Sequence, residues 1–144
     1  MSDSGGEFCD TNVIVYAYDM SAGEKRQRAR ALVERLWSSG NGMLSVQVMQ
    51  ELFVSLTRKT SPPLQPSRAR TILEDLATWK VVEPSSHDVL EAVDISIRWQ
   101  LSFWDAMIIA AARKGGARVV WSEDMKDGES YDGVLVRNPF SRVK

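Results

Sequence analysis

Short apolar runs alternate along this chain with longer amphipathic ones, and that alternation limits its fold more than any other feature. "EFC" (7–9), "GMLS" (42–45), "KVVEP" (80–84), "ARVVWS" (117–122) and "GVLVRN" (133–138) have the length and residue types of strands. Between them lie helical segments. Residues 11–18 enter one, and residues 24–39 carry Ala29, Leu32, Val33 and Leu36 on one stripe, opposite a basic face. Ser45 is placed to cap a helix from Val46 to about Lys59, Ser67 to open one reaching about Trp79, and Ser85 or Ser86 to start one that runs to Gln100. "SFWDAMIIAAARKGG" is a further helix, stopped by Gly115 and Gly116. "TSPPLQP" (60–66) is a loop, because three prolines interrupt any regular element. Strands alternating with helices predict an α/β fold, with a central, mainly parallel sheet of four to five short strands and helices on both faces. With no repeat and no dividing linker, one domain is expected over 1–144, its residues 1–6 forming a flexible N-terminal segment.

In open parallel sheets, ligands bind beyond the carboxyl ends of the strands. Asp10 directly follows the first strand, and Asp124 follows "RVVW" with Ser122 and Glu123 between. Asp105 falls in the first turn of the helix after Ser102, and Glu51 in the second turn of the helix after Ser45. Helices of such folds begin where strands end, so four carboxylates from four separate segments are expected to converge. Each also has an ordinary structural explanation. Ser102 and Asp105 satisfy a capping box, Asp124 lies in the turn-rich "SEDMKDG", Glu51 suits an exposed helix face, and Asp10 suits a helix cap with Asn12. Their combination is harder to explain that way. Four ionised carboxylates repel, each pair at ~4 Å by about 4 kcal/mol at an effective dielectric near 20. A divalent cation relieves that repulsion, and a ligand set of oxygens alone points to Mg²⁺ or Mn²⁺. Cys9 and His87 share no zinc-ligand spacing.

Composition narrows the setting. A chain of 144 residues buries roughly 70% of its unfolded surface, enough for a core of its own. A net charge of −1 gives no global attraction to nucleic acid or membrane, so any such attraction must be local. One cysteine precludes an internal disulfide, and with the polar start "MSDSGGE" it leads us to expect a reducing, cytoplasmic location. The apolar helical run "AMIIAAA" is far short of the ~20 residues that span a bilayer, so no membrane is expected.

"DTNVIVYAYD", "SVQVMQELF", "SFWDAMIIAAARKGGARVVWSEDMKDG" and the closing "NPF" together resemble the PIN-domain family, in particular VapC-like toxins of type II toxin–antitoxin modules. The resemblance runs from about Phe8 to Phe140. It implies a metal-dependent endoribonuclease using Mg²⁺ or Mn²⁺, with Asp10, Glu51, Asp105 and Asp124 as its acidic site. By the same resemblance Asp10 and Asp105 are direct ligands, and Asn12 and Ser122 orient carboxylates or water from behind. Asp124 matches the family's Ser-x-Asp, although Glu123 and Asp127 stand close by. The implied partners are an RNA substrate, a small antitoxin protein and a second copy of the chain.

Holding RNA requires cations away from the acids. Lys25, Arg26, Arg28 and Arg30 on the second helix are the RNA-binding candidates, supplemented by Arg35, while Arg58, Lys59, Arg68 and Arg70 flank the proline loop. A solvated helix face is the alternative for each run. Trp99, Phe103 and Trp104 suit core packing better than base stacking. Tyr16, Tyr18, Leu52, Phe53 and Leu56 suit either core or a partner surface. Two competing functions remain: a PIN-like RNA-binding or nuclease domain acting outside a toxin–antitoxin pair, and a receiver-like phospho-signalling domain. The latter needs an acid pair beside the first strand and a lysine near the end; the first strand here is followed by a single acid.

Overall fold

The computed structural model describes residues 5–141; four residues of the expected flexible segment 1–6 lie outside the described residues. The chain runs β1 (Gly6–Cys9), α1 (Thr11–Tyr18), α2 (Glu24–Ser39), β2 (Gly42–Ser45), α3 (Val46–Arg58), α4 (Pro66–Leu76), β3 (Lys80–Val82), α5 (Ser86–Trp99), α6 (Phe103–Gly115), β4 (Ala117–Trp121), β5 (Ser130–Tyr131) and β6 (Val134–Arg137). The sheet order is β3-β2-β1-β4-β6-β5, parallel throughout except for the β5–β6 pair. This is the expected α/β architecture with one strand more than expected. Two residues are too few for β5 to carry a period-2 pattern. Its hairpin is made by Asp132 and Gly133, both at positive φ, as a tight Asp-Gly turn requires.

Successive strand side chains point to opposite faces. All four residues of β2 are buried, as are Phe8 and Cys9 of β1, so the central strands are covered on both faces. Helix α6 is apolar nearly all round because it packs on β2, β3, β4 and β6 on one side and on α5 on the other. Leu52 and Leu56 are fully buried and belong to the core, which removes them from any partner surface.

Helix ends follow local chemistry. Ser45 and Ser85 accept from backbone N–H groups three residues on, and Asp88 completes a capping box at Ser85. Helix α4 begins at Pro66, earlier than Ser67, since proline at the first helical position has no N–H to leave unpaired. Gly115 and Gly116 serve different needs. Gly116 takes the left-handed C-cap conformation (φ 77°). Gly115 lies against the sheet, where a Cβ would sit 2.5 Å from Met43 Sδ and 2.9 Å from Val82 Cγ2. Gly115→Ala is therefore expected to destabilise by about 1–3 kcal/mol through overpacking, measured as a lower denaturation midpoint at unchanged m-value.

Strand β1 also buries a charge at the edge opposite the acids. Glu7 is almost fully buried and accepts both arms of the Arg35 guanidinium (3.0 and 2.8 Å), Trp121 Nε1 (2.9 Å) and Arg118 (3.3 Å). Its carboxyl is held below the ordinary range, first by the Arg35 hydrogen bonds. Arg35 is thereby committed to the fold and not to a nucleic-acid ridge.

Candidate metal centre

The chain builds β1, β2 and β3 outward in one direction, then returns to place β4 on the other side of β1. The crevice beyond the carboxyl ends of β1 and β4 is the topological switch point, where such sheets bind ligands. Asp10 stands at the end of β1, and its N–H continues the ladder to the Trp121 carbonyl (3.0 Å). Its carboxylate caps α1 through Thr11 N–H (2.7 Å) and accepts from Ser122 Oγ (2.8 Å) and Asn12 Nδ2 (3.4 Å). Asp10 is 4% exposed. The capping role anticipated for it is real, yet one cap bond and neutral donors do not balance a buried charge. Burial is the largest influence and, with the Asp124 and Glu51 charges, it pushes the carboxyl up to about 7 against the Ser122 and Thr11 hydrogen bonds.

Asp105 lies in the first turn of α6. Ser102 Oγ accepts from its backbone N–H (3.1 Å), giving half of the expected capping box. The reciprocal bond seen at Ser85–Asp88 is not part of this cap, and the Asp105 carboxylate faces the other acids. Burial raises its pKa, the Ser102 hydroxyl opposes this, and the Asp124 and Glu51 charges raise it further. Asp124 is exposed and is held by its neighbours: its N–H donates to Ser122 Oγ (3.1 Å) and its carboxylate accepts from Asn12 Nδ2 (2.9 Å). One oxygen each from Asp10, Asp105 and Asp124 lies within 4.8 Å of the others.

Glu51 stands beside this trio and outside its oxygen cluster. Thr11 Oγ1 (2.7 Å) and Gln47 Nε2 (3.2 Å) donate to its two oxygens. Thr11 and Gln47 were not anticipated as site residues. Gln47 was detectable, since it precedes Glu51 by four positions on one helix face. Glu51, Asn12 and Asp124 line one end of a cavity of about 640 Å³ that runs between α1 and α3 to Lys59.

The neighbouring acids go elsewhere. Glu123 accepts from Tyr16 Oη (2.8 Å) and pairs with Lys25, while Asp127 accepts from Asn138 N–H (2.9 Å). Neither belongs to the oxygen cluster. The basic candidates of α2 separate into two directions. Lys25 and Arg28 turn to Glu123 and the Pro139 carbonyl, while Arg26 and Arg30 line a smaller cavity with Tyr18, Trp37 and Arg68. They do not form one ridge. Trp104 is 61% exposed, against its expected core packing; Trp99 donates to Asp132 (2.9 Å).

The trio fits a hard divalent cation. Among the described residues, no Lys, Arg or His forms an ion pair with Asp10, Glu51, Asp105 or Asp124. Ligand oxygens of an octahedral Mg²⁺ at ~2.1 Å stand roughly 3–4 Å apart, so a small contraction would close the trio around an ion.

Fold and site together define a parallel α/β domain with a carboxylate centre at its switch point. The chain belongs to the PIN domain family, whose model matches residues 8–126. Comparison with curated proteins returns no match. Among solved structures, a toxin–antitoxin complex from Klebsiella pneumoniae is 21% identical with a TM-score of 0.69, covering 93% of this chain and 98% of its own. VapC20 of Mycobacterium tuberculosis, a toxin that cleaves the sarcin–ricin loop, is 21% identical at a TM-score of 0.63 and covers 83% and 90%. DNA-bound VapBC from Salmonella typhimurium is 17% identical at 0.64, covering 94% and 99%. These similarities concern the fold.

Proposed function

We propose that this protein is a divalent-cation-dependent endoribonuclease and the toxin of a type II toxin–antitoxin module. The observation that carries the reading is the trio Asp10, Asp105 and Asp124, gathered at the switch point with no Lys, Arg or His among the described residues forming an ion pair with it. Asp10 and Asp105 would hold the ion, Mg²⁺ or Mn²⁺, and Asp124 would complete the oxygen set. Asn12 bridges Asp10 and Asp124, and Ser122 orients both Asp10 and the Asp124 backbone. A bound cation would lower the pKa of water and offset charge developing on the phosphate. Glu51, fixed by Thr11 and Gln47 at the cavity wall, would orient the water that attacks phosphorus and take its proton, while the P–O bond to the leaving ribose oxygen breaks and that oxygen is protonated from solvent. Lys59, at the far end of that cavity, meets the RNA backbone.

No helix among the described residues is long and apolar enough to cross a membrane. The proposed site of action on RNA is the cytoplasm. Similarity to proteins solved as toxin–antitoxin complexes supports an antitoxin as partner. The exposed Leu90, Ile97 and Trp104 are apolar surface suited to protein contact, with the antitoxin or with a second copy.

The test is RNA cleavage in Mg²⁺ or Mn²⁺, in EDTA, and by Asp105→Asn. Cleavage should vanish in EDTA. The variant should lose at least about 100-fold, since even the outer partners of metal ligands cost 10- to 100-fold when removed. Cutting that persists in EDTA, or a fully active variant, overturns the mechanism. Growth arrest on expression, relieved by a co-expressed neighbouring open reading frame, checks the toxin role.

A further inference from the structure

We propose that Lys25 and Tyr16 are positioning residues that act through Glu123 to hold Asp124 at the metal centre; this rests on the reading above. Asp124 is the exposed member of the trio, carried on the loop after β4. Two groups restrain it directly, Asn12 Nδ2 and Ser122 Oγ. Asn12 also accepts from Glu123 N–H (3.1 Å), so the position of Asp124 depends on where Glu123 is anchored.

That anchor is built from α1 and α2. Tyr16 Oη donates to one oxygen of Glu123, and Lys25 pairs with the other. Both members of the Lys25–Glu123 pair are partly shielded, at 32% and 25% side-chain exposure. The Lys25 ammonium lies 5.0 Å from the Tyr16 ring and 5.7 Å from the Phe140 ring, and the two rings meet edge to face. Phe140 is buried, its N–H held by Asn138, so the closing "NPF" seals this cluster. A lysine so enclosed has its charge committed to Glu123, which makes it a poor phosphate contact. Its helix nevertheless reaches the loop that carries a ligand, linking α2 to the centre across 98 residues of sequence.

The experiment titrates Mn²⁺ into the full-length protein by calorimetry and measures cleavage against Mn²⁺ and against RNA concentration. Lys25→Met keeps the apolar stem on the two rings and removes the charge. It should weaken Mn²⁺ binding roughly 10-fold, the lower end for outer partners of a metal ligand. The half-saturating Mn²⁺ for cleavage should rise in parallel, with KM for RNA at saturating Mn²⁺ unmoved. Lys25→Arg should recover most of the loss. Tyr16→Phe, which keeps the ring, should shift Mn²⁺ binding in the same direction by a smaller factor. An unchanged Mn²⁺ affinity in both Lys25→Met and Tyr16→Phe overturns the proposal, as does a raised KM for RNA with Mn²⁺ affinity intact. A wild-type protein that binds no Mn²⁺ would instead remove the metal-centre reading itself.

Discussion

Asp10→Asn should lower RNA cleavage roughly a thousandfold, about 4 kcal/mol of barrier, and should make the metal-free protein more stable at neutral pH. The first effect follows, on the proposed function, from removing one charged ligand of three, which exceeds the 10- to 100-fold cost of disturbing an outer partner. The second follows from the cost of the buried charge. Folding raises the Asp10 carboxyl from 3.8 to about 7, mainly by burial. The native state therefore prefers the protonated acid. Below pH 4 the carboxyl is protonated in both states and costs nothing. As pH rises from about 4 to 7 the unfolded chain ionises first, and the wild type loses stability. Above about pH 7 the loss is complete, at most about 4 kcal/mol for a shift near three units. Asparagine keeps one oxygen to accept from Thr11 N–H, and its amide NH2 can donate to the Ser122 hydroxyl instead of accepting from it, so the variant avoids the penalty without losing the cap. Chemical denaturation in EDTA at pH 4 and pH 8 checks this: the variant should gain about 2–4 kcal/mol over the wild type at pH 8 and nearly nothing at pH 4. Equal stability at pH 8 would show that Asp10 is already compensated by the fold. Adding Mg²⁺ should stabilise the wild type by mass action and the variant much less.

Arg35→Met should destabilise the domain by about 1–2 kcal/mol near neutral pH, because it removes the main partner of the buried Glu7; the half-exposed Arg35 side chain and the partners Glu7 keeps hold the loss below that of a fully buried pair. Glu7 is the stranded group, with Arg118 at 3.3 Å and Trp121 as its remaining partners. The sign with pH is opposite to that of Asp10. The Glu7 carboxyl is lowered in the fold. Its contribution is present above the unfolded value near 4.3 and is lost as pH falls through the folded value. Urea melts at pH 7 and pH 3 should show the difference between wild type and Arg35→Met shrinking at the lower pH. Glu7→Gln combined with Arg35→Met should recover part of the loss, since no uncompensated charge then remains. If Arg35→Met alone is neutral at pH 7, the ion pair contributes nothing and the cluster's role is geometric. Since Glu7 lies at the amino end of β1, the metal affinity of folded Arg35→Met should match the wild type.

Most elements were legible because their determinants are local. Ser45 and Ser85 cap helices whose apolar stripes follow them directly, and the five longer strands are short, mostly apolar runs. What was missed was either too short for periodicity or set by a partner far away. The two residues of β5 exist because an Asp-Gly turn folds them onto β6, a signal present in "YDGV" and overlooked. Arg35 reads as part of a basic helix face, and only the buried Glu7 one strand away gives it another purpose. Trp104 reads as core, yet its place at the start of α6 leaves it 61% exposed.

The amino-acid order alone determined that strands would end at Asp10 and just before Asp124, and that helices would open just before Glu51 and Asp105. Those outcomes follow from propensity, capping and period, which act over a few residues. Only the folded chain decided which carboxylates are gathered into one oxygen cluster. Glu123 and Asp124 are adjacent and equally charged; one is drawn to Lys25 and Tyr16, the other to Asn12 and the metal centre. That choice depends on contacts about 100 residues away in the chain, where no local rule reaches, because the direction of a side chain is settled by whichever charge the fold brings within hydrogen-bonding range.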